Sequence, residues 1–362
     1  MLNIGKYVPI LKWKSGEQGA LKEMSDEIKK NVTPLIEILP SIHEYGSEEY
    51  SNNFKKSVDR ISKNWGNNPF FLDVVTWLAS NIDTDALEIP HPYSFAESII
   101  NNDFSNTLSP IFVAQLYLDK LTIKKLREVA SHFGNRIALR INEDTLLESE
   151  LNNNIDFFLN ELGVHVEDID IIMDFQNIQG RKPKGQSRAT FQSLSSFPYL
   201  DKWHSIIVAG TSFPETLQGF ETGISSLSRT NWLTWIELVG LTKKHGIRLP
   251  NFADYGVSGV SMPPEFQPYM VMSANIRYTV QNDWLVLRGK SVQGPLGYDQ
   301  YHKLCESLIS LAEYSGSDFS WGDKRIELCA KREVGPGNAT TWRMVGTSHH
   351  IAYVLEQLSN LA

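Results

Sequence analysis

Arg136-Ile-Ala-Leu-Arg-Ile141 and Asp170-Ile-Ile-Met-Asp-Phe175 are the two stretches whose reading decides the fold. Each is a short apolar run bounded by turn-forming residues, the mark of a strand in a sheet covered on both faces. Between them, Glu148–Leu162 carries a helical pattern. Strand, helix and strand in that order make one parallel unit. The alternation continues in both directions. Further strands are predicted at Lys6–Trp13, Thr33–Leu39, Phe70–Thr76, Pro110–Leu116, Ser205–Gly210 and Ile247–Asp254. Helices are predicted at Glu17–Lys30, Asp119–Phe133, Gln186–Leu194 and Arg229–His245, the last stopped by Gly246.

Strand starts recur roughly every 25 to 45 residues, the length of a strand-plus-helix unit. Eight such units predict an α/β chain folded as a (β/α)8 TIM-like barrel. A doubly wound sheet would also alternate, but no G-x-G-x-x-G follows the first strand. The character changes after Met262, with Pro263-Pro264 at the junction. Asn275–Val280 and Trp284–Lys290 read as a hairpin, followed by helices at Tyr298–Tyr314 and Ser348–Leu358. The expected division is a barrel over 1–262 and a C-terminal α+β extension over 263–362, packed on the barrel.

Composition narrows the function classes. With 17 Phe, 13 Tyr and 9 Trp in 362 residues, the chain has ample core and is not a disordered protein. No apolar run reaches the ~18 residues of a membrane helix, so no membrane partner is expected. The two cysteines, Cys305 and Cys329, are too few for a disulfide framework or a zinc site. Cys305 is placed in a helix core and Cys329 on a strand. No secretory h-region opens the chain, and a cytoplasmic location is expected. A net charge of −8 argues against non-specific coating of nucleic acid, but not against a local basic site.

Side chains two apart on a strand share a face. Lys12 follows Ile10, Glu37 follows Leu35, Asp73 follows Phe71, and Gln115 follows Val113. Arg140 follows Ala138, Asp174 follows Ile172, and Asp254 follows Phe252. Each polar residue ends its strand at the mouth where barrels assemble their sites. Glu37, Asp73, Asp174 and Asp254 suit either Mg²⁺ or Mn²⁺ ligation or general acid–base work. Lys12, Lys14 and Arg140 point to an anionic ligand, or neutralise the carboxylates in structural pairs such as Lys12–Glu37 and Arg140–Asp174.

Two further segments stand out. Gly180-Arg-Lys-Pro-Lys-Gly-Gln-Ser-Arg188 follows the sixth strand and reads as a flexible basic loop. Its Arg181, Lys182, Lys184 and Arg188 would hold a phosphate or a nucleic-acid backbone, or form a solvated turn. In the tail, Phe319-Ser-Trp-Gly-Asp323, Gly335-Pro-Gly-Asn338 and Gly346-Thr-Ser-His-His350 crowd polar and aromatic residues together. There His350 is a candidate acid, Trp342 and Arg343 are candidate ligand contacts, and Thr347 or Ser348 is expected to cap the last helix.

Tyr7-Val-Pro-Ile-Leu-Lys-Trp-Lys14, with Glu17, Ala20 and Leu21, and Pro34-Leu-Ile-Glu37 resemble the opening of the "beta protein" family of bacteria and phages. Ser320-Trp-Gly-Asp323, Gly337-Asn338, Trp342-Arg343 and Ser348-His349-His350 agree with it. The resemblance transfers no reaction; it implies a role in phage–host conflict, with a partner from a phage-defence locus. Two readings follow. One is a metal-assisted barrel hydrolase or phosphodiesterase acting on a phosphorylated or nucleic-acid-derived ligand. The other is a non-catalytic component that recognises a nucleotide or a protein partner.

Overall fold

A computed structural model describes residues 6–38, 48–74, 108–261 and 272–361. The expected junction at Met262 and Pro263-Pro264 lies outside the described residues. Eight parallel strands close into a barrel: β1 (Val8–Lys12), β2 (Leu35–Glu37), β3 (Pro69–Asp73), β4 (Ser109–Ala114), β5 (Ile137–Asn142), β6 (Ile169–Asn177), β7 (Ser205–Thr211) and β9 (Asn251–Asp254). β9 closes the ring by pairing with both β7 and β1. The fold is a (β/α)8 TIM-like barrel.

Strand alternation divides the core. Val8, Ile10, Leu35, Phe71, Val113 and Ile172 fill the barrel interior. Their neighbours Ile36, Leu72, Phe112, Ile171 and Phe252 face outward to the helices. Those helices are α1 (Ser15–Lys22), α2 (Asp26–Lys30), α3 (Glu48–Trp65), α4 (Lys120–Ser131), α5 (Glu143–Leu146), α6 (Leu151–Leu162), α7 (Pro183–Ser195) and α8 (Thr230–His245). Gly246 stops α8 as predicted, in the left-handed conformation that spares a Cβ clash.

The extension adds β10 (Ser273–Thr279), β11 (Asp283–Ser291), α9 (Gln300–Ile309), α10 (Trp321–Ala330) and α11 (Ala339–Ser359). The predicted hairpin is present, and β11 also pairs with β8 (Gly223–Ser228), a strand that precedes the expected division at 262. That strand reads Gly-Ile-Ser-Ser-Leu-Ser and is mostly exposed, so hydrophobicity does not announce it. At the other end, Ile351, Val354 and Leu358 of α11 join the outer core of the barrel. The two parts are interleaved.

Two tail expectations are corrected. The last helix begins at Ala339, not near Ser348: Asn338 caps it, in a reciprocal pair with Thr341. Thr347 and Ser348 are buried near the middle of it. Cys329 lies in helix α10, not on a strand, and is buried beside His302.

α10 and α11 touch so closely that Gly322 has no room for a side chain. A Cβ there would sit 2.5 Å from the Val345 carbonyl oxygen, which is backbone and cannot rotate away. Gly322→Ala should cost about 1–3 kcal/mol by overpacking. Gly240→Ala should instead stabilise, by up to about 1 kcal/mol of helix propensity, because nothing lies within 4 Å of that exposed position in α8. Urea midpoints of the two variants check both signs; equal stabilities would refute the close approach.

Candidate functional site

The register β1–β2–β3 brings Lys12, Glu37 and Asp73 level at the C-terminal rim. Arg140 of β5 reaches into this rim from the opposite side. Its Nη1 donates to Glu37 Oε1 at 2.9 Å and to Asp73 Oδ2 at 2.6 Å. Nε and Nη2 both donate to Asp174 Oδ2, at 3.0 and 2.7 Å. Tyr255, just past β9, completes the cluster: its hydroxyl accepts from Arg140 Nη2 at 2.8 Å and donates to Asp174 at 2.6 Å.

All three carboxyls are buried, and they share one guanidinium. Burial works against the Arg140 charge, but Tyr255, Asp174, Glu37 and Asp73 outweigh it and hold the pKa above the usual arginine value. For Glu37 the balance falls the other way: burial pushes its pKa up despite Arg140. Its Oε2 is buried with no hydrogen-bond partner among the described residues. A protonated carboxyl needs to be next to something it can donate to, so this is where the mouth is chemically unfinished.

Lys12 is not the partner of Glu37. Although the two are register neighbours, Arg140 takes the Glu37 carboxylate, and Lys12 Nζ donates to the carbonyls of Gly259 (2.7 Å) and Ser261. Burial lowers its pKa. Beside it, Glu17 of α1 is also buried, with its pKa raised by burial and its Oε2 without a hydrogen-bond partner among the described residues. A void of about 10 Å³, room for one water, lies between Lys12, Glu17, Tyr255 and Thr347.

Asp254 is not in the mouth. Counting from Phe252 put it on the inner face, but Phe252 points outward, stacked on Tyr7 at 5.9 Å. Ala253 and Tyr255 are the inward residues. Asp254 therefore faces the outer wall, where it accepts from Tyr7 Oη at 2.5 Å and meets His350 Nε2 at 3.0 Å. His350 Nδ1 contacts Thr279 Oγ1 at 2.7 Å, and burial keeps its pKa low. Its neighbour His349 turns to Asp323 at 2.9 Å and to the Thr279 carbonyl, stacked on Tyr278. The two histidines are fully buried ties between α11, the barrel wall and the extension, so His350 is not the acid of the mouth.

The remaining candidates are scattered. Lys14 and Gln115 are half-buried near the rim. The basic loop is largely helix: Arg181 grips Glu143 of α5 at 2.7 and 2.8 Å, and Lys184 and Arg188 are exposed on the first turns of α7. Lys182 is the N-cap residue of that helix, also exposed. Trp342 and Arg343 lie on α11, in the wall of a different cavity. The expected Mg²⁺ or Mn²⁺ does not fit the mouth, because the carboxyls converge on a guanidinium, which takes the cation's place. Among the described residues, no group of three or more acidic, histidine or cysteine side chains is placed to hold a metal. Sequence reasoning missed Tyr255 as an inward residue and Glu17 as a site residue. A count from Ala253 rather than Phe252, and the spacing Lys12-x-Lys14-x-x-Glu17, carry those two signals.

A family model described as Beta protein matches residues 7–356. No curated protein sequence matches the chain. Among solved structures, the chain is similar to type I 3-dehydroquinate dehydratase from Clostridium difficile, at 12% identity and a TM-score of 0.38 over 71% of this chain and 87% of that one. It is similar to triosephosphate isomerase from Bartonella henselae at 13% identity and a TM-score of 0.32, covering 68% and 90%. A GH18 chitinase from Pseudoalteromonas aurantia gives 10% and 0.36, covering 69% and 93%. Likeness at this level adds nothing to the strand topology itself. Among the described residues, no helix is long and apolar enough to cross a membrane.

The raised pKa of Glu37 has a measurable sign. Below the ordinary value of 4.5, both folded and unfolded chains hold this proton. As pH rises, the unfolded chain releases it first, so stability is lost until the folded value is passed. Glu37→Gln cannot titrate. The melting temperature of the wild type, relative to Glu37→Gln, should therefore fall as the pH rises above 4.5. A flat or rising difference would show that Arg140 dominates over burial.

Proposed function

The chain belongs to the Beta protein family, and from that premise and the geometry of its mouth we propose a barrel hydrolase working by general acid–base catalysis on a phosphorylated or nucleic-acid-derived ligand. The observation that carries this reading is Glu37: a buried carboxyl with a raised pKa and an oxygen that has no partner among the described residues, at the end of the barrel where chemistry is assembled. Glu37 donates its proton to the leaving oxygen. Asp174, held by Arg140 and Tyr255, accepts a proton from the attacking water. One water is consumed, and the proton returns from Asp174 to Glu37 through the shared cluster. Lys12 and Lys14 are the cations that face the ligand's negative charge. No metal is used by this scheme. The setting we infer, a role in phage–host conflict with a partner from a phage-defence locus, rests on the family alone; the cytoplasmic location we infer rests on the cysteine usage and the opening residues.

One observation favours the other reading, recognition without turnover. Arg140 divides its donors among three carboxylates and a tyrosine, as structural ion networks do. The two readings separate on one experiment. Phosphomonoesters, phosphodiesters and nucleotides are incubated with wild type, Glu37→Gln and Asp174→Asn, with products followed by phosphorus NMR. Turnover by the wild type, reduced at least about 100-fold in both variants while each stays folded, supports catalysis. A ligand that raises the melting temperature without forming product replaces catalysis by recognition. No binding and no turnover across the panel would overturn the ligand class itself.

A further inference from the structure

A cavity of about 750 Å³ lies apart from the mouth, between β10 and β11, the start of α11 and residues 216–218 beyond β7. Its polar wall is built by alternation. On β10, Ala274, Ile276 and Tyr278 turn into the core of the extension, so Asn275 and Arg277 stand on the opposite face. Arg288 of β11 is the register partner of Asn275, and Arg343 enters from α11.

The bonding of these three arginines is unusual. Arg277 donates to the Val257 carbonyl at 2.5 Å and to Asn275 at 3.3 Å, and lies over the Phe213 ring at 4.9 Å. Arg288 donates to Ser273 Oγ at 3.2 Å and to the Phe220 carbonyl. Arg343 donates to the Val257 carbonyl at 3.1 Å and to Ser258 Oγ at 2.6 Å, with Glu17 at 3.7 Å. Among the described residues, these three cations thus meet one carboxylate, at ion-pair rather than hydrogen-bond distance, and otherwise neutral oxygens. Burial and the neighbouring Arg343 push the Arg277 pKa well down, a repulsion that a bound anion would relieve.

Another part of the lining is aromatic. Trp342 and Tyr301 are stacked at 4.5 Å with their planes 5° apart, and Tyr298 continues the stack at 6.3 Å and 11°. Trp342 and Tyr301 are buried, whereas Tyr298 is half-buried and ends the staircase. Parallel rings ending on a partly open face form a platform for a further planar ring.

We propose that this cavity binds a nucleoside phosphate, with the base continuing the stack at Tyr298 and the phosphate held by Arg277 and Arg288. Its volume falls in the range of small-ligand sites. The site is separate from the barrel mouth and stands whether or not the mouth is catalytic. Arginine, rather than lysine, at all three positions suits phosphate, whose oxygens match the planar fork.

Calorimetry and tryptophan fluorescence on the full chain test this, using purine and pyrimidine nucleoside mono- and diphosphates, free nucleosides, inorganic phosphate and a ten-residue oligonucleotide. A nucleoside phosphate should bind at least about tenfold more tightly than either the nucleoside or phosphate alone, and weaken with salt. Arg288→Gln and Tyr298→Ala should each weaken binding at least about tenfold, with Tyr298→Phe retaining it. Circular dichroism confirms that each variant is folded, and the Phe variant keeps the test open if Tyr298→Ala is not. Absence of saturable binding below about 1 mM, a scale of weak complexes, overturns the proposal. So does binding indifferent to both substitutions, and so does binding of the oligonucleotide alone, which would make the cavity a strand-binding groove.

Discussion

One guanidinium holds the mouth of this barrel together. Arg140 stands on β5, yet its partners come from β2, β3, β6 and the residue after β9, so a single side chain bridges the ring across its diameter. Such a charge is tolerated in a protein interior only when hydrogen-bonded partners surround it. Three carboxyls provide more negative charge than one arginine neutralises, and the excess is settled at Glu37, where burial favours the proton. The electrostatics of the cluster thus set both its rigidity and its one reactive position.

The rest of the molecule is arranged around keeping that ring closed. β9 is four residues long, and its outer face carries Asp254, a carboxylate that solvent would otherwise satisfy. Burial acts to raise its pKa, but His350, Tyr7 and Arg229 together hold it below the usual range. Arg229 in turn lies fully buried between Trp232 and Trp284, donating to the Val280 and Gln281 carbonyls and to Gln357. The extension is thereby bound to the barrel by polar contacts as well as by the apolar face of α11. The stretch from Tyr255 to Ser261 joins the two sites: Tyr255 touches Arg140, the Val257 carbonyl holds Arg277 and Arg343, and the Gly259 and Ser261 carbonyls hold Lys12.

Much of this architecture was legible in the sequence, because period-two alternation is local and the eight strands are rich in branched apolar residues. Lys12, Glu37, Asp73, Gln115, Arg140 and Asp174 follow inward-facing apolar residues, as alternation requires. Asp254 failed because both faces of its strand are apolar: Phe252 looks as much like an interior residue as Ala253, and periodicity alone has no preference between them. Partner choice was not legible either. Lys12 and Glu37 are neighbours in register, but the longer, forked Arg140 reaches the carboxylate first, a competition decided three strands away. Strand β8 and the cavity beside it were invisible for a related reason. They depend on a pairing with β11, about sixty residues later, that leaves no local pattern.

The contact between Asp254 and His350 also orders events during synthesis. Tyr7 and Asp254 are 247 residues apart, and another 96 residues separate Asp254 from His350. A ribosome that has delivered every barrel strand still needs roughly 5–20 seconds, at ordinary elongation rates, to deliver the helix that covers the closing one. For that interval the ring has its sequence complete but its seam uncovered, with the Asp254 carboxylate facing water. The nascent barrel is therefore most exposed to strand mispairing late in translation, and its stability arrives with the last turns of α11 rather than with the eighth strand.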